Sequence, residues 1–195
     1  MARLSSLERR TKETDITLEL NLDGSGKGDI VTPSGFFSHM LEAFTRHSGF
    51  DLTCRVQGDV DVDLHHTVED TGLVLGQVLL QALGDKAGIE RYGQSLLPMD
   101  DTLVLVAVDL SGRPYFASDL TFPQERAGEF PAVLALEFFR AFSQEGKFNL
   151  HLVSFRGQET HHLLEAAFKG LARALKQAAA NTGSEGDVPS TKGVL

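Results

Sequence analysis

The sequence predicts an α+β fold built by internal duplication of a strand-strand-helix-strand-helix unit. Three observations predict it. The pentad His65-His66-Thr67-Val68-Glu69 returns in the second half of the chain as His161-His162-Leu163-Leu164-Glu165. The segments upstream of the two pentads overlay: His39-Met40-Leu41-Glu42-Ala43-Phe44 lies over Glu137-Phe138-Phe139-Arg140-Ala141-Phe142, and Phe50-Asp51-Leu52 over Phe148-Asn149-Leu150. The apolar period also switches between strand-like and helix-like spacing in the same order in each half.

In the first half, Ile16 to Leu22 alternates apolar and polar residues, as a half-buried strand does. Asp23-Gly24-Ser25-Gly26 reads as a turn from which Gly28 to Val31 returns antiparallel. Its glycines resemble a phosphate loop, but no Gly-Lys-Ser/Thr follows a buried strand, so a hairpin is expected. After the break at Pro33-Ser34-Gly35, Phe36 to Arg46 reads as a helix, Phe50 to Val56 as a strand, and Thr67 to Leu83 as a helix stopped by Gly84 and Gly88.

In the second half, Leu103 to Leu110 reads as a strand, Ser111-Gly112-Arg113-Pro114 as a turn, and Tyr115 to Phe122 as the returning strand. Pro131 to Phe142 reads as a helix and Phe148 to Phe155 as a strand. His161 to Ala180 reads as a long helix with Thr160 as its N-cap. The stretch from Gly183 is rich in Gly, Ser and Pro and reads as loop. The expected division is 1–90 and 91–182 as two half-repeats packed into one globular unit, with 183–195 as a tail. Each half is too small for a good core of its own, so the two should pack together.

At 195 residues, 42% hydrophobic and 23% charged, the composition is that of a soluble globular protein. A net charge of -9 argues against a nonspecific hold on nucleic acid or on anionic membrane. The single cysteine, Cys54, permits no internal disulfide, and no apolar run approaches the ~20 residues of a membrane span. The first ten residues lack the apolar core of a signal peptide, so a cytoplasmic location is expected.

The pentads carry the chemistry. On a helix, positions i and i+4 share a face, so His65 should point with Glu69, and His161 with Glu165. Adjacent residues differ by about 100°, so His66 and His162 should each serve a different ion from that of their neighbours. Two motifs then offer six donors to two ions. The repeat adds His39 and its counterpart Glu137, giving four donors per ion and open positions for a substrate. Mixed imidazole and carboxylate at high coordination favours Mn²⁺ or Fe²⁺ over tetrahedral zinc. His151 reads as a packed or surface histidine, and Phe138-Phe139 as core.

The blocks Phe37-Ser38-His39-Met40-Leu41, His65-His66-Thr67-Val68-Glu69-Asp70, Asp109-Leu110-Ser111-Gly112-Arg113-Pro114-Tyr115, His161-His162-Leu163-Leu164-Glu165-Ala166 and Pro189-Ser190-Thr191-Lys192-Gly193-Val194-Leu195 resemble those of the imidazoleglycerol-phosphate dehydratases of histidine biosynthesis. The resemblance runs from about Arg10 to the end of the chain. It implies the ribosomal protein S5 domain 2-like fold. It also implies a homo-oligomeric cage of about two dozen subunits with interfacial active sites, each holding two Mn²⁺ (or Fe²⁺ or another divalent ion) and no organic cofactor. The implied reaction converts D-erythro-imidazole glycerol phosphate, a small phosphorylated imidazole, to imidazole acetol phosphate and water.

Carried over by position, the resemblance makes His39, His65, His66, Glu69, His161, His162, Glu165 and position 137 the metal ligands. It places the phosphate grip on Arg91, Arg113, Ser190 and Lys192, so that the tail binds phosphate. It makes Glu13 an acid/base candidate and lines the site with His47 and Lys169. Glu69 and Glu165 are catalytic candidates as well as ligands. Two arginines, a lysine and a hydroxyl suit a phosphate dianion. The C2 proton of the substrate is not acidic. Metal-stabilised imidazolate character would let the ring expel the C3 hydroxyl through a diazafulvene-like intermediate, after which a carboxylate such as Glu13 moves the C2 proton. His39, Ala43 and His47 share a stripe at i, i+4, i+8, which turns His47 toward the same pocket.

Three positions depart from the family pattern. Glu137 replaces a common His, which predicts one site richer in carboxylate. Leu64 replaces an Asp, which predicts the loss of a hydrogen bond to an imidazole. Ala43 replaces a Gln and so predicts one substrate contact fewer. A dinuclear metallohydrolase acting on a phosphorylated small molecule could use the same donors, but the phosphate-binding tail and the whole-chain match argue against it; a metal-storage assembly needs no Arg91, Arg113 and Ser190-Thr191-Lys192 set.

Overall fold

The computed structural model describes residues 3–182 and 186–193. Val194 and Leu195, which close the last block of the family resemblance, lie outside them. The first half contains β1 (Leu4–Arg10), β2 (Thr14–Asn21), β3 (Gly28–Val31), α1 (Gly35–Ser48), β4 (Asp51–Gly58) and α2 (His65–Leu83). The second contains β5 (Tyr92–Met99), β6 (Thr102–Asp109), β7 (Tyr115–Ser118), the two-residue strands β8 (Arg126–Ala127) and β9 (Phe130–Pro131), α3 (Val133–Gly146), β10 (Asn149–Arg156) and α4 (Thr160–Ala178). The sheet orders β1-β2-β4-β3 and β5-β6-β10-β7 are the same arrangement twice, so the duplication is visible in the topology.

Each repeat begins one strand earlier than the sequence pattern indicates. β1 and β5 are edge strands paired antiparallel to β2 and β6. The apolar residues of β1, Leu4 and Leu7, stand three apart rather than two, and β5 contains Pro98, which an edge strand tolerates. The expected hairpins are not formed either. β3 runs parallel to β4, and β7 runs parallel to β10. The Asp23–Gly26 turn instead wraps the Asp51 carboxylate at the head of β4, which accepts from the backbone of Ser25 at 2.8 Å and of Lys27 at 2.9 Å. Gly24 is required there, because a Cβ would lie 2.4 Å from the Asp51 nitrogen.

The helices α1 to α4 lie between the two sheets. α2 lies on the first sheet and α4 on the second, and the helices then pack across the repeat boundary, α2 on α3 and α1 on α4. The seam is phenylalanine-rich. Phe37 meets Phe138 at 5.5 Å, Phe44 meets Phe142 at 6.1 Å, and Phe138 meets Phe168 at 5.2 Å. All five are buried, as is Phe139. Two glycines let α2 approach α3: Cβ atoms on Gly72 and Gly76 would each fall 2.7 Å from α3 backbone atoms. No helix among the described residues is long and apolar enough to cross a membrane.

α3 begins after Pro131, which lies in β9, and extends to Gly146. Thr160 is not an N-cap but the first residue of α4; Glu159 is the cap. The Thr160 hydroxyl is committed to the Gln124 loop, donating to its carbonyl at 2.8 Å and accepting from its N–H at 2.9 Å.

Candidate functional site

Crossed helix packing decides which donors meet. α1 carries His39 onto α4, so His39 meets the pentad of the opposite repeat. His39 Nε2 is 3.8 Å from Glu165 Oε2, and His161 Nε2 is 3.1 Å from the same oxygen. One ligand atom from each of these three side chains lies within 4.8 Å of the others. Among the described residues this is the one such cluster of three or more donors. Imidazole, imidazole and carboxylate are a donor set that fits a borderline-hard divalent ion.

Glu165 is buried, and its second oxygen accepts from the Lys169 ammonium at 2.6 Å. Burial alone would raise its pKa. The Lys169 hydrogen bond and charge, with His39 and His161, outweigh that and hold the carboxyl below its ordinary value. Lys169 thereby occupies Oε1 and leaves Oε2 toward the two imidazoles. One and two turns on from His39, Ala43 is buried and His47 half-buried. Burial, then the charges of Lys169 and Arg173, lower the pKa of His47 and so favour its neutral ring.

Among the described residues the first pentad forms a donor pair with no third metal-type donor beside it. His65 Nε2 and Glu69 Oε2 are 3.6 Å apart. Glu137, on the helix that packs against α2, is engaged by Arg140 of its own helix at 2.6 Å. The second histidine of each pentad turns elsewhere, with ring centroids 6.0 Å apart for His65 and His66 and 6.2 Å for His161 and His162. His66 Nδ1 is 3.0 Å from Asp59 Oδ2, and its Nε2 is 3.9 Å from Glu13 Oε1. Glu13 also borders an open cleft of about 350 Å³ shared with Arg10, Lys12 and Asp59. His162 Nδ1 is 2.6 Å from Asp101 Oδ1, with Glu159 and Asp100 near its Nε2. The hydrogen bond to Asp101 raises the pKa of His162, and the one to Asp59 raises that of His66.

Asp59 and Asp101 are partners that the sequence pattern did not single out. Asp59 heads an acidic loop with no distinguishing spacing. Asp101 was findable: it precedes Thr102 at the head of β6 as Glu13 precedes Thr14 at the head of β2. It also accepts from the Glu159 backbone at 3.1 Å and so closes the start of α4. Asp63, next to Leu64, accepts from the His65 backbone at 2.6 Å, and His66 Nδ1 finds its carboxylate in Asp59.

The anion candidates gather at another end of the molecule. Arg91, in a left-handed conformation (φ 69°), clamps Asp109 with contacts of 2.7 and 3.2 Å and donates to the Pro189 carbonyl at 2.8 Å. This ties it to the segment leading to Ser190 and Lys192. The Ser190 hydroxyl accepts from the Lys192 backbone at 3.2 Å. Arg113 is exposed, and its guanidinium donates to the Ser111 carbonyl at 3.2 Å. His151 is exposed beside Tyr115 and takes no part in any of these groups.

Comparison with known proteins agrees with the duplicated fold. The family model for imidazoleglycerol-phosphate dehydratase matches residues 32–175. The imidazoleglycerol-phosphate dehydratase of Methylorubrum populi is 50% identical over 99% of this chain and 100% of its own length, and that of Lachnoclostridium phytofermentans is 51% identical over 100% of both. The crystal structure of the Staphylococcus aureus dehydratase superposes with a TM-score of 0.84 at 39% identity, covering 92% of this chain and 99% of that one. The Pyrococcus furiosus structure gives 0.84 at 37% identity, over 97% and 100%. The motifs, the duplicated fold and full-length similarity together show that the chain belongs to the imidazoleglycerol-phosphate dehydratase family.

Proposed function

We propose that this protein is a metal-dependent carbon–oxygen lyase that dehydrates imidazole glycerol phosphate to imidazole acetol phosphate in histidine biosynthesis, working in the cytoplasm. The observation that carries the metal part of this reading is the meeting of His39, His161 and Glu165 across the repeat boundary. These residues would hold one ion. His65, Glu69 and Glu137 would contribute to the second. Mn²⁺ fits the donor types best, and two such ions per site would act as Lewis acids on the substrate's imidazole ring, easing loss of the C3 hydroxyl.

The remaining steps belong to side chains. Lys169 fixes the Glu165 carboxylate so that a single oxygen faces His39 and His161. Asp59 and Asp101 hold Nδ1 of His66 and His162, which would leave each Nε2 as the nitrogen available to a metal. Glu13 is exposed at the rim of the cleft, where its carboxylate can move the C2 proton of a bound substrate. His47, whose lowered pKa favours the neutral ring, can accept or relay that proton. Arg91, Arg113, Ser190 and Lys192 would take the phosphate. His66 and His162 face away from the three-donor cluster, which supports completion of each site by a second copy of the chain, as a closed homo-oligomeric cage of about two dozen subunits would provide.

The test is direct. Protein stripped by a chelator and reloaded with Mn²⁺ is incubated with imidazole glycerol phosphate, and product is followed as the keto form. Turnover with Mn²⁺ and none after stripping is expected. Absence of product from a fully loaded protein contradicts the proposal.

A further inference from the structure

We infer that Asp70 is a positioning residue for Glu13: it fixes the turn between β1 and β2 that carries this carboxylate to the site. The inference rests on the acid/base role proposed above for Glu13, which gives no part to Asp70.

Asp70 follows the first pentad and stands four residues after His66, so the two share a face of α2. It is only 6% exposed. Its Oδ2 accepts from the Arg9 guanidinium at 2.5 Å and from the Thr14 hydroxyl at 2.5 Å. Arg9 ends β1 beside the turn and Thr14 begins β2, so one buried carboxylate holds both sides of it. The connection continues into the turn. The Thr14 hydroxyl oxygen lies 3.3 Å from that of Thr11, which accepts from the Glu13 N–H at 3.1 Å and the Thr14 N–H at 3.0 Å. The Glu13 carbonyl accepts from the Asp59 N–H at 3.0 Å, and Asp59 is the carboxylate that holds His66. A chain of hydrogen bonds thus runs from α2 through the turn to the backbone of Glu13.

The other repeat shows why Glu13 needs this support. Matching the register of β1 on β2 with that of β5 on β6 puts Leu97, Asp101 and Thr102 at the places of Arg9, Glu13 and Thr14. Ala166, which follows the second pentad, takes the place of Asp70. Leu97 and Ala166 are apolar, so the second repeat cannot form the same clamp. There the turn carboxylate anchors itself, since Asp101 grips His162 Nδ1 at 2.6 Å. Glu13 stands off from its histidine: Oε1 is 3.9 Å from His66 Nε2, and the side chain is exposed. A carboxylate kept available to move a proton must be placed through its backbone, and a displacement of about 1 Å is enough to cost ~100-fold in rate. Burying an ion pair adds little net stability. Its presence in the repeat whose turn carboxylate stands off, and not in the other, therefore points to placement.

Kinetics of the full-length Mn-loaded protein test this. Asp70→Asn should lower kcat for imidazole glycerol phosphate about 10- to 100-fold and leave KM within about threefold, with Mn per chain unchanged. In a Glu13→Gln background the same substitution should cost less than about twofold, because the group it places is already gone. Thr14→Val should behave as Asp70→Asn does, and Thr14→Ser, which keeps the hydroxyl, should retain most of the activity. If Asp70→Asn does not fold, Thr14→Val carries the same measurements. Amide hydrogen exchange gives a readout independent of turnover: Glu13 and Thr14 should exchange faster in Asp70→Asn while β4 keeps its protection. Equal losses in the wild-type and Glu13→Gln backgrounds, unchanged exchange across the turn, or loss of Mn would each overturn the inference. Wild-type protein that holds Mn but does not turn over the substrate sinks the dehydratase reading instead, and the exchange result then decides whether Asp70 places Glu13.

Discussion

His39 and Glu165 stand 3.8 Å apart, Nε2 to Oε2, although they belong to opposite repeats. The distance exists because α1 packs on α4 rather than on its own repeat's α2. A cluster that draws His39 from one repeat and His161 and Glu165 from the other exists only when both halves are folded, so a metal held there would depend on the assembly of the two repeats.

Glu165→Gln keeps the side-chain volume and removes the charge that His39, His161 and Lys169 share. Removal of a group that merely orients a ligand costs ~10- to 100-fold in metal affinity, and loss of a ligating carboxylate should cost at least that. Elemental analysis after dialysis should show fewer ions per chain, with turnover falling in parallel. Full metal content in the variant would exclude Glu165 as a ligand.

Glu137 tests the asymmetry between the repeats. Its carboxylate is engaged by Arg140 at 2.6 Å, a contact compatible with coordination through the other oxygen. Glu137→Ala should weaken one class of metal site by about tenfold or more and leave the other unchanged in a Mn²⁺ titration. His39→Ala should weaken the other class. Identical binding isotherms for wild type and Glu137→Ala would reduce Glu137 to a partner of Arg140.

His47 should give the protein a pH dependence of known sign. Its folded pKa lies below the ordinary value near 6.5, through burial and the charges of Lys169 and Arg173. As pH falls below about 6.5 the unfolded chain takes up the proton first. Stability is therefore full above that pH and is lost as pH falls toward the folded pKa. In chelator-treated protein, His47→Gln should lose less stability between about pH 7 and pH 5 than wild type. Parallel denaturation curves for the two proteins over that range would contradict it, as would an NMR titration midpoint for His47 at or above 6.5.

Gly76 tests the helix seam. A Cβ there would sit 2.7 Å from both the Gly146 nitrogen and the Phe142 carbonyl, which are backbone atoms with little room to yield. Gly76→Ala should cost about 1–3 kcal/mol by urea denaturation despite alanine's better helix propensity. A neutral or stabilising effect would mean that α2 and α3 do not approach this closely.

Much of this architecture was legible because the same information is written twice. The pentads and the overlaid phenylalanine segments fixed the helices and β4 and β10, where burial is deep and periodicity strong. β1 and β5 were not legible, since an edge strand buries one thin face and carries a weak apolar signal. The parallel pairing of β3 and β7 was hidden for a different reason: the hydrogen bonds from the Asp23–Gly26 region to Asp51 are long-range and leave no local pattern. At the site, the i, i+4 pairing of His with Glu follows from helix geometry alone. That His39 would join Glu165 rather than Glu69 depends on tertiary crossing of helices, which no local spacing encodes. Asp59 was missed because a carboxylate reveals its role only through what surrounds it.

The most direct test of the account is the anomalous scattering of a crystal of the Mn²⁺-loaded protein measured at the manganese edge. The account predicts a peak in contact with His39 Nε2, His161 Nε2 and Glu165 Oε2, donors drawn from both repeats. A fully loaded protein whose ions lie elsewhere, leaving Glu165 bound to Lys169 alone, would contradict it.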